Sequence, residues 1–186
     1  MKRITPVFLT LTLAFVVWSC GGSSTLDNSE AAVYLTVDVS NYTPDIDLCL
    51  QATDLAISSM EITSELRNPQ GASSTHQDVN LQRWVIRPYR TDGGSTASPE
   101  WTYDTAVYVP AGGTADLENY RIYPYELLAQ VPLAYLLPEN GGFDPETGNS
   151  NIRQSFELQI FGQTVSGKNV ATIPVSIGFN FYCLGQ

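Results

Sequence analysis

The chain has 186 residues, 43% of them hydrophobic, and a formal net charge of -10 from 19 acidic against 9 basic residues. Such an acidic balance excludes the phosphate-neutralising surface of a nucleic-acid-binding protein. One histidine and three cysteines, widely spaced, exclude a zinc-finger type of metal cluster.

The first feature along the chain is a short targeting-type segment. Lys2 and Arg3 are followed by an apolar run over residues 5–17, then by Val17-Trp18-Ser19-Cys20-Gly21-Gly22. The run falls short of the roughly 20 apolar residues that span a bilayer, but suits a signal-peptide core. With a small residue before a cysteine, the segment resembles a bacterial lipoprotein signal. The resemblance implies removal of residues 1–19, lipidation of Cys20 and attachment to the cell envelope. An ordinary secretory peptide, with Cys20 incidental, is the alternative. Gly21 after the cysteine implies the outer membrane in a two-membrane bacterium. More than one acyl chain would make the anchor durable, at about 0.8 kcal/mol per buried CH₂. Loss of Lys2 and Arg3 takes the net charge to about -12, which disfavours anionic headgroups as well as nucleic acid.

Residues 20–31 read as a lipidated cysteine and a flexible Gly/Ser/Asn tether, and residues 32–186 as one domain. Val33, Leu35, Val37 and Val39 alternate with polar residues, which predicts a half-buried strand. A Pro44-containing loop follows to Asp47. Residues 55–67 alternate again, with a slip between Ile57 and Met60 that predicts a bulge. Residues 79–90 form a long strand with Leu81, Trp84 and Ile86 inward, ending in a hairpin-type turn at 91–94. Strands are expected over 101–110 and 114–122. Prolines 124, 132 and 138 bound a segment with room for one or two helical turns. Residues 152–163 and 170–183 form two last strands, joined by a hairpin at 166–169, with Ile173, Val175, Ile177, Phe179 and Phe181 on one face.

About seven or eight strands with turn signals every 8–15 residues predict an all-β fold. The expected form is an immunoglobulin-like antiparallel β-sandwich with one short helical segment. With Cys20 assigned to lipid, Cys49 and Cys183 remain as an even pair in an oxidising compartment. They read as a disulfide tying the last strand to the start of the domain, with two buried free thiols as the alternative.

Several phrases within residues 55–182 resemble a group of uncharacterised bacterial exported β-sandwich proteins. They are Glu65-Leu66-Arg67-Asn68-Pro69, the stretch from Trp84 to Gly93, Val109-Pro110-Ala111-Gly112-Gly113, and Phe161-Gly162-Gln163 through Gly167 to Val170. The resemblance implies a fold and no catalytic residue.

Candidate chemistry is sparse. His76 lies in a polar loop, with no nucleophile elbow and no phosphate loop in the chain. The expected function is therefore a non-catalytic, lipid-anchored structural or interaction module without a cofactor, whose partners are the membrane and an envelope protein or glycan. Trp101, Tyr103 and Tyr123, with Tyr120 and Tyr125 nearby, are candidates for stacking on a glycan or peptide; core packing is the competing role. Asp144, Glu146 and Asn149 share a Gly-rich loop and are candidate Ca²⁺ ligands, although the spacing is not that of an EF-hand. A small carboxylate-dependent hydrolase is a further alternative, and it requires two acids facing each other across a pocket.

Overall fold

The computed structural model describes residues 30–50 and 53–184. Period-2 alternation sends every second side chain to the same face of a strand, so each amphipathic run needs an apolar partner layer. Two sheets meet that need. The first has three strands, β1 (Val33–Asn41), β3 (Leu55–Leu66) and β6 (Thr114–Tyr123), in the order β1-β3-β6. The second contains β2 (Asp45–Asp47), β4 (Val79–Arg90), β5 (Trp101–Val109), β7 (Asn151–Thr164) and β9 (Val175–Tyr182) in the order β2-β9-β7-β4-β5, with β8 (Asn169–Ala171) also paired to β7. Between them lies one apolar core that includes Leu35, Ile57, Ile62, Trp84, Phe156, Phe179 and Phe181. The expected all-β sandwich is therefore present, with nine strands among the described residues. One helical turn, α1 (Tyr125–Leu128), and short 3₁₀ turns at Leu133–Leu136 and Pro138–Asn140 occupy the proline-bounded segment. No helix among the described residues is long and apolar enough to cross a membrane.

Most predicted strands lie within a residue or two of their expected bounds, and four features differ. Residues 45–47, read as loop, form β2, which pairs in parallel with the end of β9. Three residues carry too little alternation to signal a strand, and this one exists because β9 offers it an edge. Residues 170–183 do not form one strand. Pro174 lacks an N–H, and the ladder to β7 is interrupted at Ile173 and Pro174. Thr172 turns inward there: its N–H donates to Ile160 O at 2.9 Å and its hydroxyl accepts from Ile160 N at 3.0 Å. Ile173 is consequently exposed rather than on the buried face with Ile177, Phe179 and Phe181. The turn at 91–94 is not a tight hairpin but the start of a ten-residue connection to β5, since Ile86 pairs with Trp101. Finally, residues 30 and 31, read as the end of the tether, contact the sandwich: Ala31 is buried and Glu30 pairs with Lys168 at 2.7 Å.

The slip in β3 is real: both Ile57 and Met60 are buried, three residues apart. Its neighbours share the irregularity. The register to β1 shifts between Val39 and Asn41, and Asn119 on β6 adopts a φ of 48°. A second bulge lies where β4 shifts register against both neighbours between Leu81 and Arg83. Gly162 sits opposite it, where a Cβ would come within 2.6 Å of Asn80 O.

Cys49 and Cys183 are disulfide-bonded, with a Cα–Cα distance of 5.1 Å and a sequence separation of 134. The bridge joins the end of β2 to the end of β9, as the cysteine count predicted.

Candidate aromatic surface site and the loop clamp

At one side of the sandwich β5 and β6, the edge strands of the two sheets, lie next to each other. Alternation on β5 points Trp101, Tyr103, Thr105 and Val107 toward this seam, all half-buried, while Thr102, Asp104, Ala106 and Tyr108 face solvent. From β6 comes Tyr120, also half-buried. These side chains build a continuous stack that runs outward from the core. Trp84, fully buried on β4, stacks on Tyr120 at a centroid distance of 4.7 Å and on Tyr103 at 5.7 Å. Tyr103 stacks in turn on Trp101 at 4.3 Å. Arg121 closes the outer end, its guanidinium carbon 5.2 Å from the Trp101 ring centroid, in the range of a cation–π contact. An ion pair to Asp54 at 3.0 Å positions that arginine, and Asp54 also accepts the Tyr125 N–H at 2.8 Å.

Hydroxyl groups pin the stack. Tyr103 donates to Arg121 O at 3.0 Å, and Tyr120 shares a hydrogen bond of 2.8 Å with Thr105. Burial pushes the Tyr103 phenol well above its ordinary value, and the neighbouring Tyr120 adds to the shift, so Tyr103 stays a donor. Beneath it the Trp84 Nε1–H is buried without a hydrogen-bond partner. That is an unusual cost for a native core.

The candidate aromatics therefore divide. Trp101 and Tyr103 are half-buried at the seam, packed against the core and in mutual contact. Tyr123 is fully buried, its ring edge-on to Phe156 at 5.0 Å and its hydroxyl donating to Pro99 O at 2.5 Å; burial raises its phenol too. It supports Trp101 from below at 6.3 Å and is core, not lining. Tyr120, Arg121 and Trp84 complete the cluster. Alternation marked Trp84 as inward, but no local signal tells that its ring meets Tyr120, because that contact crosses from one sheet to the other.

The candidate Ca²⁺ ligands serve another structure. Arg90, at the end of β4, has a side chain only 2% exposed and is held by Asp92 at 2.7 Å and by Asp144 at 2.6 Å, both equally buried. Asp144 also accepts the Thr147 hydroxyl at 2.7 Å and the Glu146 N–H at 3.2 Å. The Glu146 carboxylate accepts the backbone N–H and the hydroxyl of both Ser95 and Thr96. These donors, the Thr96 hydroxyl first, lower its pKa to about 2. Asn149 contributes its backbone carbonyl, which accepts the Asp144 N–H at 2.8 Å. A cation at Asp144 would have to displace the guanidinium. Together these residues clamp the loop before β7 onto the connection between β4 and β5. Gly94 lies flat against the clamp, where a Cβ would stand 2.3 Å from Arg90 Cζ. Burial pushes the Asp92 and Asp144 carboxyls up, but Arg90 and the N–H donors outweigh it, and both are lowered. Acid–base hydrolysis instead needs one acid raised and one ionised. His76 is exposed in a 3₁₀ turn capped by Ser74.

Cys20 lies outside the described residues. Comparison of the chain with protein-family models and with curated proteins gave no match.

Proposed function

We propose that this chain is a lipid-anchored β-sandwich of the cell envelope, held through Cys20, that works as a non-catalytic interaction module and presents the β5–β6 seam to its partner. The observation that carries this reading is the stack of Trp101 and Tyr103, half-buried at the seam and braced from the core by Trp84. Rigid aromatic rings bring large contact area at low conformational-entropy cost. Backbone pairing is a poor alternative use of the seam, because β5 and β6 both carry register irregularities, a device that blocks strand addition. A glycan suits the seam best, since sugar rings stack on aromatic faces and their hydroxyls can meet Arg121 and Asp54.

The strand order also supports an immunoglobulin-like reading. The β1-β3-β6 sheet corresponds to strands A, B and E, and β9-β7-β4-β5 to G, F, C and C′, with Trp84 on the C strand. The bridge differs, since Cys49–Cys183 joins the start and end of the domain rather than strands B and F.

Across the outer face of the three-stranded sheet Asp38, Glu61 and Asp116 stand directly opposite one another in register. Such a row of like charges favours an orientation with this face turned away from anionic headgroups.

Two experiments test the proposal. Mass spectrometry of the mature protein is expected to find an N-terminal, acylated Cys20; an unmodified Cys20 removes the anchor. On an array of envelope glycans the protein is expected to bind a subset, with Trp101→Ala weakening binding about tenfold or more, the scale of a lost aromatic anchor. Silence on the array, or equal binding by Trp101→Ala, removes the glycan reading.

A further inference from the structure

The disulfide lies beside a third potential ligand. Cys49 Sγ, Cys183 Sγ and a carboxylate oxygen of Asp47 all fall within 4.8 Å of one another, a grouping of three potential metal ligands. The local fold imposes this. Asp47 is two residues before Cys49, and its Oδ1 accepts the Cys49 N–H at 3.0 Å, which turns the carboxylate toward the bridge. Asp47 pairs with Tyr182 in the parallel β2–β9 ladder, which brings the chain just beyond β2 next to Cys183, the residue after Tyr182.

We propose that opening this bridge creates a metal site for a thiophilic divalent cation such as Zn²⁺, with Cys49, Cys183 and Asp47 as its protein ligands. A dithiol reductant supplies two electrons and two protons. The S–S bond breaks, two thiols form, and the reductant leaves as its own disulfide. Binding then displaces both thiol protons, leaving two thiolates and one carboxylate on the metal. Ligand bonds of about 2.3 Å to sulfur place tetrahedral thiolates about 3.8 Å apart, a separation that cysteines with Cα atoms 5.1 Å apart can reach.

Three features keep the ligands together once the covalent link is gone. Leu48 N donates to Tyr182 O at 2.8 Å, Asn180 N donates to Pro44 O at 2.8 Å, and Asn180 Nδ2 donates to Asp45 Oδ1 at 2.9 Å. None of these depends on the disulfide. A cleft of about 290 Å³, lined by Asp45, Ile46, Asp47 and Leu50 among others, reaches Asp47. Cys49 itself is exposed, so a reductant can reach it.

The test uses the full chain with Cys20→Ser, so that only these two thiols remain. It is reduced with dithiothreitol, desalted without oxygen, and titrated with Co²⁺ and then Zn²⁺. The reduced protein is expected to bind one Co²⁺ per chain, with a thiolate charge-transfer band and intense visible bands of tetrahedral Co²⁺ that Zn²⁺ abolishes. The oxidised protein is expected to show neither. Asp47→Asn should weaken Zn²⁺ binding about tenfold or more, by the scale of losses at metal sites. Zn²⁺ should also raise the melting temperature of the reduced chain and leave that of the oxidised chain unchanged.

Equal binding by the oxidised form overturns the proposal. So does a reduced chain without the charge-transfer band, or an Asp47→Asn protein with unchanged affinity and spectrum. A reduced chain that loses its far-ultraviolet sheet signal and does not recover it with Zn²⁺ overturns it as well.

Discussion

Replacing Arg90 by Ala is expected to destabilise the domain by about 3–5 kcal/mol at pH 7, the scale of a buried ion network that loses one partner. The cost comes less from the lost bonds than from what remains. Asp92 and Asp144 are almost wholly buried and would stay there without their cation. Denaturant titration by circular dichroism measures the loss. The effect has a definite pH signature. In the native protein both carboxyls are lowered below their ordinary range. They therefore contribute stability that is present above the unfolded carboxylate value of about 3.9 and is lost as pH falls through the lower folded values. In the Arg90→Ala protein the sign reverses. Burial without the guanidinium raises both carboxyls, folding takes up protons, and stability falls as pH rises through the raised values. The difference between the two proteins should accordingly shrink on going from pH 7 to about pH 4. A difference that stays constant with pH would show that the loss is packing rather than charge.

The disulfide carries the second large effect. The double replacement Cys49→Ser with Cys183→Ser is expected to cost about 2–5 kcal/mol, seen as a lower denaturation midpoint. In the chain-entropy description, closing a loop of 134 residues restricts the unfolded chain by about 5 kcal/mol, which sets the upper end. Because the bridge ties the end of β2 to the end of β9, its loss should also loosen that sheet edge first. Hydrogen exchange is expected to rise earliest at Leu48 and along the C-terminal half of β9, while β4 and β7 in the sheet centre stay protected. Uniform acceleration across all strands would mean that the ends do not open separately.

Much of the sandwich is legible in the chain because the signal is local. Val33 to Val39 and Phe156 to Ile160 each carry their strand assignment in their own alternation. The Ile57–Met60 slip is equally readable, because burying both residues requires an irregularity somewhere nearby. The failures have a common cause. β2 has too few residues to show a period and exists through its pairing with β9. The run from 170 to 183 has the composition of one long strand, but Pro174 cannot donate to a ladder, and Thr172 finds a better set of hydrogen bonds at Ile160.

The candidate site was legible to a similar depth. Trp101 and Tyr103 stand out in a polar context, and their i, i+2 spacing on a strand already places them on one face. Tyr123 looks equivalent in sequence but follows the register shift of β6 into the core, against Phe156. Asp144 and Glu146 look like cation ligands when read with their loop alone. Their actual partners are Arg90, Ser95 and Thr96, some 50 residues earlier.

By itself, then, the sequence determined an all-β domain, its main strands and the pairing of its last two cysteines. Each of these follows from local periodicity or from simple counting. The tertiary structure alone decided which edges meet at the seam, which tyrosine is buried, and which charges the acidic loop holds. Those depend on contacts between residues far apart in the chain, where burial and pairing rather than residue type determine what a side chain can do.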